Sequence, residues 1–518
     1  MKIKSYSVFM LIASTLILNS CGDDFTDNAQ VGAISDEQVT STEAEAEKLI
    51  IGLYDKMKFT YSKDWHSAFL VKILPGDDAN AGGGSATDQP PLQDIDGHTN
   101  ISTENGPINH VWTGFYAVIA HANLMIDRLE NTGLANADLL IGEAKFMRAW
   151  SYLELVTMFG DVPMRTTVVS SVDQFAVAKS PKEDIYVLIE EDLTDAISKL
   201  SDKGAAGIQN FRVTKGAAQG LMGKTLVHQA KYDQAVTFFS KLIANPLYDL
   251  EADVSDVWMQ IADYGVESLF EIGFSSEGGY NWGGGRDIAW GGRNEGNLHV
   301  QLMGPRASEN NGPGFDVTGL DVINGWGFNL PSAKLITAFD KAGDVERRAA
   351  TIASEADIIA AGGAVILGDE IWGYEGGIRL KYATRTEDTD SVNAGALNYT
   401  TNFKIFRYAE VLLLAAEAYN KNGNDGLALL ELNKVRVRAG LAELSGLAGD
   451  NLFEVIVDEK FLELAHEGQR FWDLVRWGKA SEELAGSGYT PKNDLFPIPL
   501  SEINLNALIN AENQNPGY

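Results

Sequence analysis

Seven segments, 42–58, 108–131, 137–159, 181–200, 214–245, 406–439 and 452–480, carry apolar residues at three- and four-residue steps. That is the period of a helix with one face turned inward. In the fourth of them Ile185, Leu188, Ile189, Leu193, Ile197 and Leu200 follow this step. Pro181 with Lys182-Glu183-Asp184 behind it opens that helix with its acids in the first turn, and Gly160-Asp161-Val162-Pro163 closes the one before. An apolar helical stripe is stable only when another element covers it, so this many stripes demand helix packed on helix. The expected fold is mostly α, with little β structure.

Two segments look like one repeated unit. In GKTLVHQAKYDQAVTFFSKLIANP, Gly223 is followed twelve residues later by Ala235 and then by Phe239 and Pro246, with Tyr232-Asp233-Gln234 at the turn. Ala416, Ala428 and Leu432 repeat the twelve and four spacing in AAEAYNKNGNDGLALLELNKVR. Small residues stand where two helices approach closely, and the pattern resembles a tetratricopeptide helix pair. Such pairs stack into a concave solenoid whose ordinary use is to dock another protein.

Between the helical segments the composition changes. Residues 273–327 hold 15 glycines and three tryptophans, Trp282, Trp290 and Trp326, which a helical solenoid does not need. Glycine lets backbone approach a ligand and indole offers a flat apolar face, so these read as long loops bearing aromatic platforms. The bland alternative is that the rings plug the loops onto the helices. The stretch ILPGDDANAGGGSATDQPPLQDIDGHTN adds Asp77, Asp78 and Asn80 as hydrogen-bonding groups or as turn caps. Arg286, Arg293 and Arg306 lie among the same loops and suit a uronate. Trp65 with His66, and Trp372 with Tyr374, are the next aromatic candidates.

Catalytic signatures are missing. GLMGKT ends like a phosphate-binding loop, but the glycine it needs five residues before Gly223 is Ala218, and the stretch lies inside a helix pair. The seven histidines are scattered, with no His-Glu-x-x-His, and there is no Gly-x-Ser-x-Gly. Glu459, Glu463 and Glu467 recur at four-residue steps, yet carboxylates on one helix face point alike and cannot flank a sugar. Arg470, three residues after Glu467, is expected to pair with it structurally. No metal, cofactor or catalytic residue is expected.

The only cysteine, Cys21, follows a hydrophobic run. Lys2 and Lys4, the apolar or small residues 8–18 and then Leu18-Asn19-Ser20 have the order of a secretory signal, too short to span a bilayer. Leucine, two small or polar residues and cysteine resemble the bacterial lipobox, which makes Cys21 an acylated N-terminus and residues 1–20 a signal peptide. Losing Lys2 and Lys4 with that peptide moves the formal charge from −31 to −33, the wrong sign for a nucleic acid partner. Residues 21–34 are then a tether and 35–518 one domain, with a loop-rich ligand-binding insertion around 248–345.

The stretch DEKFLELAHEGQRFWDLVRWGKA, with Glu463-Leu464, Glu467-Gly468-Gln469-Arg470, Trp472-Asp473-Leu474 and Arg476-Trp477, resembles the C-terminal hallmark of the SusD/RagB family of surface lipoproteins. EAKFMRAWSYLELVTMFGDVPM, RYAEVLLLAAEAY, PSAKLITAFDKAGDVERR and the ending LFPIPLSEINLNALINAENQNPGY extend the likeness along nearly the whole chain. Val345-Glu346-Arg347 and Lys460 depart from the family's common Asp-Pro-Arg and arginine. The resemblance implies a tetratricopeptide-type scaffold lipid-anchored at the outer membrane and facing the exterior. Its implied partners are a SusC-like TonB-dependent transporter and an oligo- or polysaccharide. A peptide-binding lid is the alternative and a surface glycosidase a remote one. The family motifs mark scaffold, so the ligand candidates Trp282, Trp290, Trp326, Arg293, Asp78, Asn80 and Trp65 rest on the physical reading alone.

Overall fold

The computed structural model describes residues 42–171, 174–276, 295–390 and 397–518. Cys21, Trp282, Trp290, Arg286 and Arg293 lie outside the described residues. The helices of twelve residues or more are α1 (Glu43–Ser62), α2 (Gly106–Leu129), α3 (Ala137–Phe159), α4 (Lys182–Lys199), α5 (Lys215–His228), α6 (Tyr232–Ile243), α7 (Tyr408–Lys421), α8 (Asp425–Arg438) and α9 (Gly449–Glu463). Strands are confined, among the described residues, to five two-stranded antiparallel sheets. The fold is mostly α, as the periodicity requires.

Each helix packs on the next, α1 to α2 and onward to α8, with α9 against α7. The α6–α7 contact holds although residues 244–407 intervene in the chain, so the solenoid closes behind a long excursion. α3 and α7 are buried almost all round, whereas α6 buries only Ala235, Phe239 and Leu242. The α5–α6 pair shows why small residues occupy the repeat positions. A β-carbon on Gly223 would strike the Phe239 ring, and one on Gly220 would lie 2.8 Å from both Leu269 and Phe406. Lys224 and Thr225 of the phosphate-loop look-alike are buried inside α5, and Lys224 pairs with Glu410 at 2.8 Å.

Two local expectations are corrected. The segment 452–480 is not one helix: α9 stops at Glu463, and a turn with His466 and Gly468 at positive φ leads into a short helix, Arg470–Arg476. Glu467 lies on that turn, and its partners are Arg407 at 2.7 Å and Lys381 at 2.8 Å, not Arg470. Arg470 turns to Asp77, with Nε 2.6 Å from Oδ1 and Nη2 3.0 Å from Oδ2. The three glutamates do serve structure, in a buried ion network. Arg347 meets Asp344, Glu459 and Glu463, while Arg407 meets Glu267, Glu463 and Glu467. Three guanidinium groups, those of Arg347, Arg407 and Arg438, hold the Glu463 carboxyl well below the ordinary range against the opposing effect of burial. Lys460, the departure from the common arginine, still reaches Asp473 at 2.6 Å.

The excursion builds its own small core from Phe315, Val317, Val322, Ile358, Ile371 and Ile378 with their neighbours. Strand Ala79–Gly82 pairs with Phe328–Pro331, and Ser268–Ile272 with Phe403–Arg407. The first sheet ties the loop after residue 82 to the excursion and so sets the geometry of the candidate site.

Candidate functional site

Gly82 and Gly327 bring two loops into backbone contact. Both have positive φ, at 67° and 81°, and a β-carbon on Gly82 would strike the Gly327 carbonyl. The Gly83 amide donates to that carbonyl at 2.8 Å. These glycines therefore serve close packing between loops. Trp326, next to Gly327, is held by its amide donating to Gln301 O at 2.7 Å. Its ring is stacked on Trp65, with centroids 5.4 Å apart and planes 10° apart. Trp65 stands on the turn between α1 and the short helix Ala68–Ile73. Two of the sequence candidates, more than 250 residues apart, thus form one half-buried aromatic unit.

The same rim continues to a third indole. Trp372 is 42% exposed, and its Nε1 donates to Gln93 Oε1 at 2.9 Å. Gln93 in turn donates through Nε2 to Gly82 O at 2.9 Å, which links Trp372 to the Gly82–Gly327 crossing. Arg306 lies against Gly84 and donates to Trp326 O at 3.5 Å. Exposed Gly84, Ser85, Ala86 and Thr87 border the strip. Trp65, Trp326 and Arg306 are therefore contiguous, and Trp372 is linked to them through Gln93 and the Gly82–Gly327 crossing. Tyr374 is separate, with its ring edge-on to Phe315 at 5.3 Å in the small core.

The structure places the two polar candidates within the scaffold's own hydrogen bonds. Asp78 is 1% exposed, and its Oδ2 accepts the His466 amide at 2.7 Å. Burial pushes its titration up to about 6, partly opposed by that amide. A carboxylate enclosed in this way fixes the turn after α9 and offers nothing to a surface ligand. Asn80 donates to Gly373 O at 3.1 Å and pairs with Leu330 across the sheet. Both are residues of the scaffold beneath the rim. Sequence reasoning placed Trp372 second only because it stands outside the glycine-rich stretch.

Among the described residues no group of three or more His, Cys, Asp and Glu side chains is placed to hold a metal ion, and no helix is long and apolar enough to cross a membrane. What the rim can do is lie flat against a ligand with apolar faces and offer it the Arg306 guanidinium as donor and the Gln93 carbonyl as acceptor, since both Gln93 Nε2 hydrogens are used on Gly82 O and Asp88 O.

Comparison with known proteins agrees with this architecture. Residues 343–518 match the model of the SusD family, and residues 35–226 match a model described as starch-binding associating with outer membrane. At both ends the chain is thus similar to SusD-type proteins. It is 27% identical to SusD-like protein P2 of Formosa agariphila, over 99% of this chain and 100% of that one. A solved laminarin binding SusD-like protein superposes with a TM-score of 0.80 at 29% identity, covering 92% of this chain and 100% of its own. Surface glycan-binding protein A from Bacteroides fluxus gives 0.75 at 25% identity, with the same shares.

Proposed function

We propose that this protein captures an oligo- or polysaccharide at the surface of the outer membrane and passes it to a TonB-dependent transporter, without cleaving it. The observation that supports this most directly is the rim that joins Trp372 to Trp326 and Trp65, in a chain similar to a laminarin binding protein. An indole face on a pyranose buries the sugar's apolar C–H surface while hydroxyls turn to groups such as Gln93 and Arg306. Membrane attachment through an acylated Cys21 and docking of the helical solenoid on the transporter complete the reading.

The test is calorimetry of the protein against a polysaccharide panel, with laminarin as the first probe and released reducing ends measured in parallel. Trp372→Ala and Trp326→Ala are each expected to weaken binding by on the order of 2 kcal/mol, roughly thirtyfold, with no reducing ends released. Unchanged binding in both variants would move the site off this rim, to the glycine-rich segment bearing Trp282, Trp290 and Arg293. Binding of peptides alone would favour the peptide lid.

A further inference from the structure

The chain carries 72 acids against 41 lysines and arginines, and its guanidinium groups are correspondingly occupied. Among the described residues every arginine but three makes an ion pair, and of those three Arg379 and Arg385 are buried. The third is half-buried Arg306, at the Trp326 end of the aromatic rim.

Its backbone is fixed: Arg306 O accepts the Phe315 amide at 2.7 Å, and Arg306 bridges Gly325 in parallel register. The guanidinium uses one side and leaves the other. Nη1 donates to Trp326 O at 3.5 Å. Nε and Nη2, whose N–H bonds run parallel along one edge, have no hydrogen-bond partner among the described residues and are not enclosed. With this same edge Arg148 grips both oxygens of Asp192 at 2.7 Å, and Arg470 grips both oxygens of Asp77. Asp88, which also lies against Gly84, spends Oδ2 on the Gly84 amide at 2.7 Å and makes no ion pair with Arg306. Gly84 is exposed and has no left-handed backbone, yet a β-carbon there would lie 3.0 Å from Arg306 Nη1. The glycine thus keeps side-chain bulk off the guanidinium.

We propose that the rim takes an acidic glycan, and that the Nε–Nη2 edge of Arg306 pairs with a carboxylate or sulfate group on the sugar seated at Trp326. This rests on the reading of the rim as a glycan platform and adds the chemical class of the ligand. Two parallel N–H donors match two oxygens of such a group, and a charge-assisted bond is roughly twice as strong as a neutral one. The other end of the rim repels an anion, because the turn Gly368–Glu370 before Trp372 carries exposed Asp369 and Glu370. The anionic substituent therefore sits at Trp326, and uncharged sugar faces lie toward Trp372. The net charge of −31 opposes a polyanion at long range. At about 0.15 M salt, charges beyond roughly 8 Å are screened, so the local pair decides.

The experiment is calorimetry of the whole mature protein at about 0.15 M salt against laminarin, an alginate oligosaccharide and a carrageenan oligosaccharide, the last two separating carboxylate from sulfate. One acidic probe is expected to bind roughly tenfold tighter than laminarin. Arg306→Gln, which keeps a donor and an acceptor for hydroxyls, is expected to cost that probe roughly tenfold and laminarin no more than about threefold. Arg306→Lys keeps the charge, loses the parallel donors and should fall between. Gly84→Val should weaken the same probe by covering the guanidinium, with Tm unchanged. Laminarin bound as tightly as both acidic probes, or equal losses for all probes in Arg306→Gln, would overturn the acidic class and leave glycan capture standing. Absence of binding to every probe would overturn both, and the parent's preference among probes is readable whether or not a variant folds.

Discussion

At Asp96 the carboxylate accepts the Ala81 amide at 3.0 Å, while burial, helped by nearby Glu375, pushes its titration up to about 7. In the unfolded chain it would titrate near 4. Between those values the folded state holds a proton that the unfolded state does not, so this group's contribution is complete below about pH 4 and is lost as pH rises to 7. Asp96→Asn keeps an acceptor for the Ala81 amide and carries no charge. The variant is therefore expected to gain on the parent between pH 4 and pH 7, by at most about 1.4 kcal/mol per pH unit, and to keep a constant advantage above that. Urea melts of both proteins at pH 5 and pH 8 check this, and an equal difference at the two values would contradict it. Neighbouring acids show why residue type alone misleads at this scale. Asp77 is tied to Arg470 and Lys334 and Asp78 to the His466 amide. No spacing in the sequence distinguishes them from surface acids, because their partners come from more than 250 residues away.

Helix pairs set the next scale. Gly223 on α5 and Gly426 on α8 both stand in helices, yet a β-carbon on Gly426 would meet nothing within 4 Å. Gly223→Ala is expected to cost about 1–3 kcal/mol because Phe239 cannot yield without disturbing α6. Gly426→Ala is expected to be neutral or to stabilise by about 0.5–1 kcal/mol. Thermal melts of the two variants should fall on opposite sides of the parent, and similar shifts would show that the α5–α6 contact is looser than the structure has it. The tetratricopeptide spacing was legible here because it follows from two helices touching at fixed steps. The break after Glu463 was not, since a left-handed His466 has no sequence signature as strong as glycine's.

Across the whole molecule, the ion network joins strand Phe403–Arg407, α8, α9 and the helix Val345–Thr351. Arg407→Ala would leave Glu267, Glu463 and Glu467 in the interior to share Arg438, Arg347 and Lys381 with one positive charge fewer, and is expected to cost about 3–5 kcal/mol. Arg470→Ala is expected to cost less, because Asp77 keeps Lys334 at 2.5 Å and Glu483 is partly exposed. Denaturant melts give the order, and a larger loss for Arg470 would refute it. Outside the described residues, Cys21→Ala is expected to release an otherwise folded protein into the soluble fraction, because acylation is the proposed attachment. A variant still bound to membranes in a host lacking the transporter would reject the anchor.

Periodicity, repeat spacing and glycine content are local quantities, and from them the sequence by itself determined a helical solenoid interrupted by aromatic loops. The motif order along the chain carried the resemblance to the SusD/RagB family. What only the tertiary structure decided is which residues meet. Trp65 reaches Trp326, Arg470 chooses Asp77 over Glu467, and Arg379 is buried without an acid. Each of these depends on distant segments being brought within a few ångströms by the packing of a common core, and the energy of a buried charge or ring is set by those neighbours and not by its place in the chain.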